Sequence, residues 1–131
     1  MAQIGGFGEV VFSTSDQRIL NFDNMKQSVS GQWSKHKLIG RKPKGEFNGA
    51  DLRKVTFSML LDVNLGVRPR KMLELLENMV ENGFVDYLVI GNRAIGNNRF
   101  CITGISETWD TVYNGGELAQ ATVNVTMEEY V

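Results

Sequence analysis

The chain has 131 residues and balances 14 basic against 15 acidic side chains, for a formal net charge of −1. Its 42% apolar and 22% charged content excludes a disordered chain, and its length predicts one domain, residues 1–131, around one core. The near-zero charge supplies no global field for nucleic acid, the one cysteine excludes an intramolecular disulfide, and no apolar run approaches the roughly 18 residues of a membrane span. The N-terminus lacks a signal-peptide pattern and a lone thiol fits a reducing compartment, so synthesis and folding in a cytoplasm are expected.

No internal repeat or low-complexity tract is present. Gly5-Gly6-Phe7-Gly8 reads as a flexible arm before a first strand, Glu9 to Ser13. A polar turn at Ser13-Thr14-Ser15-Asp16 leads to a second short strand from Arg18 to Phe22. Ser28 to Lys37 alternates weakly around Val29, Trp33 and Lys35, as a partly exposed strand would. Ile39 to Asp51 carries Gly and Pro43 and reads as a loop or bent ribbon, with Glu46-Phe47 as a candidate for pairing.

The clearest strand is Lys54 to Asp62, with Val55, Phe57, Met59 and Leu61 on one face and Thr56, Ser58 and Leu60 on the other. A turn at Asn64 to Val67 delivers the chain to a helix over 69–82. Pro69 suits its first turn, where a missing N–H costs no intrahelical bond. Met72, Leu73, Leu76, Met79 and Val80 recur at the spacing of one helical face, and Asn82-Gly83 supplies the stop. Burying that stripe stabilises by about 1.5–3 kcal/mol per large side chain, which requires the helix to lie on the sheet. Asp86 to Ile90 and Arg99 to Trp109 read as strands around a Gly/Asn-rich hairpin loop, Gly91 to Asn98. Between Ile102 and Ile105 the apolar phase shifts, which marks Gly104 as a bulge. The last strand, Leu118 to Tyr130, sets Ala119, Ala121, Val123, Val125 and Met127 against Gln120, Thr122, Asn124 and Thr126. Those polar side chains are too short for a charged solvent face and point to a neighbouring subunit or a lumen. The class is α+β, mostly β.

Catalytic constellations are missing. Phosphate-cradling Gly loops follow a strand and open a helix, whereas Gly5 to Gly8 precedes a strand. Cys101 has no second Cys and no His beside it, so a buried inert thiol is expected. His36, between Lys35 and Lys37, reads as solvent-facing, and one His supports neither zinc chemistry nor a triad. Glu107 and Asp110 flank Trp109 in the manner of a sugar-binding acid pair, but their spacing at a strand end has no special meaning. No catalytic, cofactor or metal residue is therefore assigned.

Charge clustering is more informative. Lys35, Lys37, Arg41, Lys42, Lys44, Arg53 and Lys54 supply half of the 14 basic residues, opposed locally by Glu46 and Asp51. Trp33 and Phe47 are the only aromatics there for base stacking, so a basic ribbon docking on an acidic subunit is preferred to nucleic-acid binding. Acidic partners exist in identical copies, at Glu74, Glu77 and Glu81 on the helix and at Glu128-Glu129 near the end.

A family resemblance joins these segments. Ala2-Gln3-Ile4-Gly5 with Phe7-Gly8, Leu20-Asn21-Phe22, Trp33, Gly40-Arg41-Lys42-Pro43 with Glu46-Phe47, Leu65-Gly66-Val67-Arg68-Pro69-Arg70, Trp109 and Glu128-Glu129-Tyr130-Val131 occur in the order and spacing of the GpU family of phage tail proteins. The chain resembles that family over nearly its whole length. The resemblance implies a structural subunit of a contractile phage tail or tailocin, without catalytic motif or cofactor. It implies a tail-tube-like β-sandwich or half-open barrel with one flanking helix, closing into six-membered rings. Its implied partners are its own copies and hub, tail-tube and baseplate subunits, with no nucleic-acid binding and no membrane insertion. The implied location is the virion or tailocin tail after assembly in the bacterial cytoplasm. Two positions fit: a ring at the baseplate end joining hub to tube, or a terminator capping the head-proximal end. The baseplate end is preferred because such chains are usually encoded beside hub and LysM-type tail proteins.

Overall fold

The computed structural model describes residues 2–8, 10–14, 19–20, 22–113 and 115–131. In chain order the strands are β1 (Ala2–Phe7), β2 (Val10–Thr14), β3 (Ile19–Leu20), β4 (Phe22–Ser28), β5 (Gly31–His36), β6 (Lys44–Ala50) and β7 (Lys54–Asp62). A 3₁₀ turn (Val63–Leu65) and helix α1 (Pro69–Glu81) intervene before β8 (Val85–Asp86), β9 (Leu88–Ile90), β10 (Arg93–Ala94), β11 (Arg99–Val112) and β12 (Leu118–Tyr130). They form one sheet in the order β10-β9-β1-β2-β3, a second in the order β4-β7-β12-β11-β8, and a separate two-stranded ribbon, β5-β6. The expectation of a mostly β, half-open barrel with one flanking helix holds, the second sheet being the curled half-barrel.

That second sheet is organised by the alternation of β7 and β12, which pair antiparallel from Lys54 opposite Glu128 to Asp62 opposite Gln120. Paired residues share a face, so Val55, Phe57, Met59 and Leu61 join Ala121, Val123, Val125 and Met127, each at most 5% exposed. Sheet one and α1 cover this face together. Phe7, Val10, Phe12, Leu20 and Leu88 of the first sheet meet Met72, Leu73, Leu76 and Met79 of the helix in one core. Phe12 stands edge-on to Phe57 with ring centroids 5.7 Å apart. The opposite face of sheet two carries Thr56, Ser58, Asn124 and Thr126, the short polar set, half-buried or exposed.

Both ends of the helix follow from local chemistry. Pro69 occupies the first turn, and the Met72 N–H bonds the Arg68 carbonyl at 3.0 Å. At the other end Gly83 turns left-handed, with φ of 64°, and the Phe84 N–H reaches back to the Met79 carbonyl at 3.0 Å. This is the bond that closes a Schellman cap. Phe84 then packs edge-on against Phe7 at 5.5 Å, tying the helix end to the first sheet.

Several boundaries differ from expectation. Gly5 to Phe7 is not a flexible arm but part of β1, which pairs β2 on one side and β9 on the other. Its glycine is a close-approach residue, because a Cβ on Gly5 would overlap the Val89 carbonyl oxygen. The second strand divides: Ile19–Leu20 belongs to sheet one and Phe22–Ser28 to sheet two, with Arg18 and Asn21 outside the described residues. Ser15 and Asp16 of the expected turn also lie outside them. The strand expected over 28–37 breaks at Val29-Ser30, and the ribbon expected over 39–51 pairs across all of β6 rather than at two residues. Asp86 to Ile90 also divides, with β8 on β11 and β9 on β1, so the chain changes sheets at Tyr87. Gly91 and Asn92, both at positive φ, make the two-residue hairpin to β10. The bulge stands where the phase shift puts it: Ile102 pairs Met127 and Gly104 pairs Thr126, leaving Thr103 unmatched.

Candidate functional site

The residues examined for chemistry do not converge. Cys101 is half-buried, and its Sγ donates to the Glu128 carbonyl at 3.6 Å rather than meeting a base. His36 lies on the β5-β6 ribbon, 2.6 Å from Glu46. Asp110 accepts from the Thr122 hydroxyl on the outer sheet face, while Glu107 accepts from Trp109 Nε1 on the helix side, so the two acids flank opposite faces. Among the described residues no group of three His, Cys, Asp or Glu could hold a metal. An open cleft of about 610 Å³ lies between Val63–Lys71 and Gly116–Leu118, lined by Arg68, Arg70 and Lys71 with Glu117 as its one acid. No described helix is long and apolar enough to cross a membrane.

The basic run divides between two places. Lys35, Lys37, Arg41, Lys42 and Lys44 lie on the β5-β6 arm or its tip, a ribbon whose residues are exposed apart from half-buried Ser34 and Gly49. Its strands of six and seven residues span roughly 20 Å. The Asp51 N–H closes the base of the arm on the Ser30 carbonyl at 2.9 Å. Arg53 and Lys54 instead belong to the body. The backbone of Arg53 exchanges hydrogen bonds with Glu129, and Lys54 pairs Glu128 across the ladder.

The two faces of the arm differ. Ser34, His36, Lys44, Glu46 and Asn48 share the polar face, where His36 bonds Glu46 and the Asn48 amide donates to the Ser34 hydroxyl. Trp33 and Phe47 share the other, with centroids 5.0 Å apart and exposures of 64% and 55%. Gly31 and Gly45 lie beneath these rings, and a Cβ on either would meet them. Periodicity did not reveal this platform because glycine registers as a break, although a Trp opposite small residues was available as a signal.

The acidic residues divide as well. Glu129 is satisfied within the chain: it accepts from the Arg53 N–H at 3.0 Å and from the Asn98 amide at 2.7 Å, which hold its carboxyl below the usual range. Glu74, Glu77 and Glu81 follow one another along α1, and Glu107 of β11 joins them. A hydrogen bond to Glu107, then partial burial, then the charges of Glu107, Glu81 and Glu74 push the Glu77 carboxyl up from 4.5 to about 7. The helix carries no acid in its first turn and no base in its last, so Arg70 and Lys71 sit at its positive end and Glu81 at its negative end. Arg70 meets Glu74 at 3.7 Å and lies 5.6 Å from the Trp109 ring centroid. Glu107 and Trp109 are thus part of this flank, and Asp110 is not.

Two edges of sheet two lack a strand partner among the described residues. β4 pairs only β7, and β11 beyond Cys101 pairs only β12, because β8 ends there. The unpaired length of β11 runs to Val112, beside exposed Trp109 and Val112. Unpaired edges of this length are where sheets take on further strands.

This architecture, a half-barrel sheet with one flanking helix and a projecting ribbon, has a solved counterpart. A chain of the tail of an empty gene transfer agent particle, of C6 symmetry, is 17% identical with a TM-score of 0.50; the likeness covers 99% of this chain and 91% of that one. At that identity the likeness is one of fold. No curated protein matches the sequence. The phage P2 GpU family model matches residues 8–131, a span that takes in every element after β1, with the arm, α1 and the acidic flank. The chain therefore belongs to the phage P2 GpU family of phage tail proteins.

Proposed function

We propose that the chain is a structural subunit that closes with five further copies into a tube-like ring at the baseplate end of a phage or tailocin tail, joining hub to tail tube. The observation that carries the ring is the pair of unpaired edges, β4 and the distal part of β11, at opposite sides of one curled sheet. Such a unit can be continued in both directions, and heterologous contacts that close yield a ring with no edge left over. The C6 symmetry of the gene transfer agent tail supports six as the number. Assembly takes place in the host cytoplasm and needs no cofactor, nucleic acid or membrane.

In this reading residues 1–131 act as one domain. The charged assembly surface comprises Lys35, Lys37, Arg41, Lys42 and Lys44 on the arm and Glu74, Glu77 and Glu81 on α1 as acidic counterparts, while Arg53, Lys54, Glu128 and Glu129 meet one another within the body. The baseplate position rests on the usual gene neighbourhood of the family, beside hub and LysM-type proteins. Electron microscopy of purified tails decorated with gold-labelled antibody against the chain tests it. Gold at the baseplate end is expected; gold confined to the head-proximal end would contradict that position and make the chain a terminator.

A further inference from the structure

Among the described residues, the β5-β6 arm pairs with no other strand of its own chain. Its polar face is internally satisfied by the His36–Glu46 and Ser34–Asn48 contacts. Its other face presents Trp33 and Phe47, with Lys35 in the same alternation and glycines on either side that leave the rings bare. The tip adds Ile39, fully exposed, next to Arg41 and Lys42. An aromatic pair ringed by cations is the composition of a docking surface rather than of a solvated one.

The complementary composition lies on α1 and the distal half of β11. Trp109 and Val112 stand on the helix side of β11 at 46% and 48% exposure. Glu74, Glu77 and Glu81 line the helix beside them, and Glu107 closes the group. These carboxylates are in conflict both with one another and with the helix dipole, an arrangement that costs the isolated chain stability. Arg70 is the one cation that the described ion pairs bring to them. Of the alternative acidic target, Glu129 is already engaged by Arg53 and Asn98, and Glu128 stands opposite Lys54 in the ladder.

We infer that the arm of one copy docks, aromatic face and basic tip first, on the α1–β11 flank of a second copy. Trp33 and Phe47 cover Trp109 and Val112, and the cations of the tip reach the carboxylates that α1 leaves uncompensated. The opposed charges set register and encounter rate, and the aromatic burial supplies most of the affinity. This deepens the ring proposal and rests on it, since it names where one subunit holds the next.

Charge exchange tests the pairing in the full-length chain. Arg41→Glu with Lys42→Glu, and separately Glu74→Lys with Glu81→Lys, are each expected to weaken self-association at low salt by about tenfold or more. The four changes together, or an equimolar mixture of the two double variants, are expected to restore most of it. Trp33→Ala should weaken association at low and high salt alike. All these positions are exposed, and unchanged thermal melts confirm that each variant folds. Association that survives the flank reversal, or that the combined variant fails to restore, would overturn this docking and leave the ring standing. A wild-type chain that stays monomeric at every concentration would overturn both.

Discussion

Gly5 shows how a single missing side chain sets this fold. β1 is central in its sheet, and β9 approaches so closely that a methyl group at Gly5 has no room beside the Val89 carbonyl. Gly5→Ala is expected to cost about 3 kcal/mol or more, read as a lower urea midpoint with an unchanged slope. A loss under about 1 kcal/mol would mean that the strands can separate there without cost. Glu77 supplies a second test at this scale. The groups around it are Glu74 and Glu81 on its own helix and Glu107 on β11, while the inner faces of β12 and β7 beneath the helix are apolar. Its carboxyl rises from 4.5 unfolded to about 7 folded, so between those values the folded chain keeps a proton that the unfolded chain has released. Stability therefore falls as pH rises through that window and levels off above it. Glu77→Gln should flatten this slope and raise the melting temperature at about pH 8. An unchanged slope in urea midpoints from about pH 5 to about pH 8 would contradict the carboxyl pair.

At the scale of elements, the arm and the body are held by different forces. The body is closed by apolar layers, whereas the arm rests on its own ladder and one aromatic pair. Replacing residues 31–50 with a short turn is therefore expected to leave the melting temperature within about 3 °C of the parent, since the closure cost of a surface loop changes slowly with length. A loss of cooperative melting would show that the arm braces the core. Elements whose alternation reports burial were legible in the sequence: β7, β12 and the stripe of α1 stand where their periods put them, and the phase shift at Gly104 located the bulge. Elements decided by partners far along the chain were not. β1 reads as a flexible arm because Gly5-Gly6 suits close packing against β9 as well as it suits freedom. Asp86 to Ile90 reads as one strand because nothing local records the change of sheet at Tyr87. The charged clusters were visible by composition, but only the fold divides Lys35–Lys44 from Arg53-Lys54, and only the fold brings Glu107 to Glu77.

For the whole molecule, the consequence is a unit unfinished on several sides. Among the described residues sheet two ends in open strands at β4 and distal β11, the arm has a bare aromatic face, and α1 holds like charges against its dipole. A monomer gains nothing from any of these, and each becomes favourable when a second copy arrives. Their coexistence in a member of a phage tail family is the reason for reading the chain as a ring subunit. The most direct measurement is the mass of the purified full-length chain by light scattering over a wide concentration range, with negative-stain images of the same samples. The account predicts a concentration-dependent rise to six times the 14.7 kDa chain mass, with open-centred rings in the images. A monomer of constant mass at every concentration, or compact particles without a central opening, would contradict it.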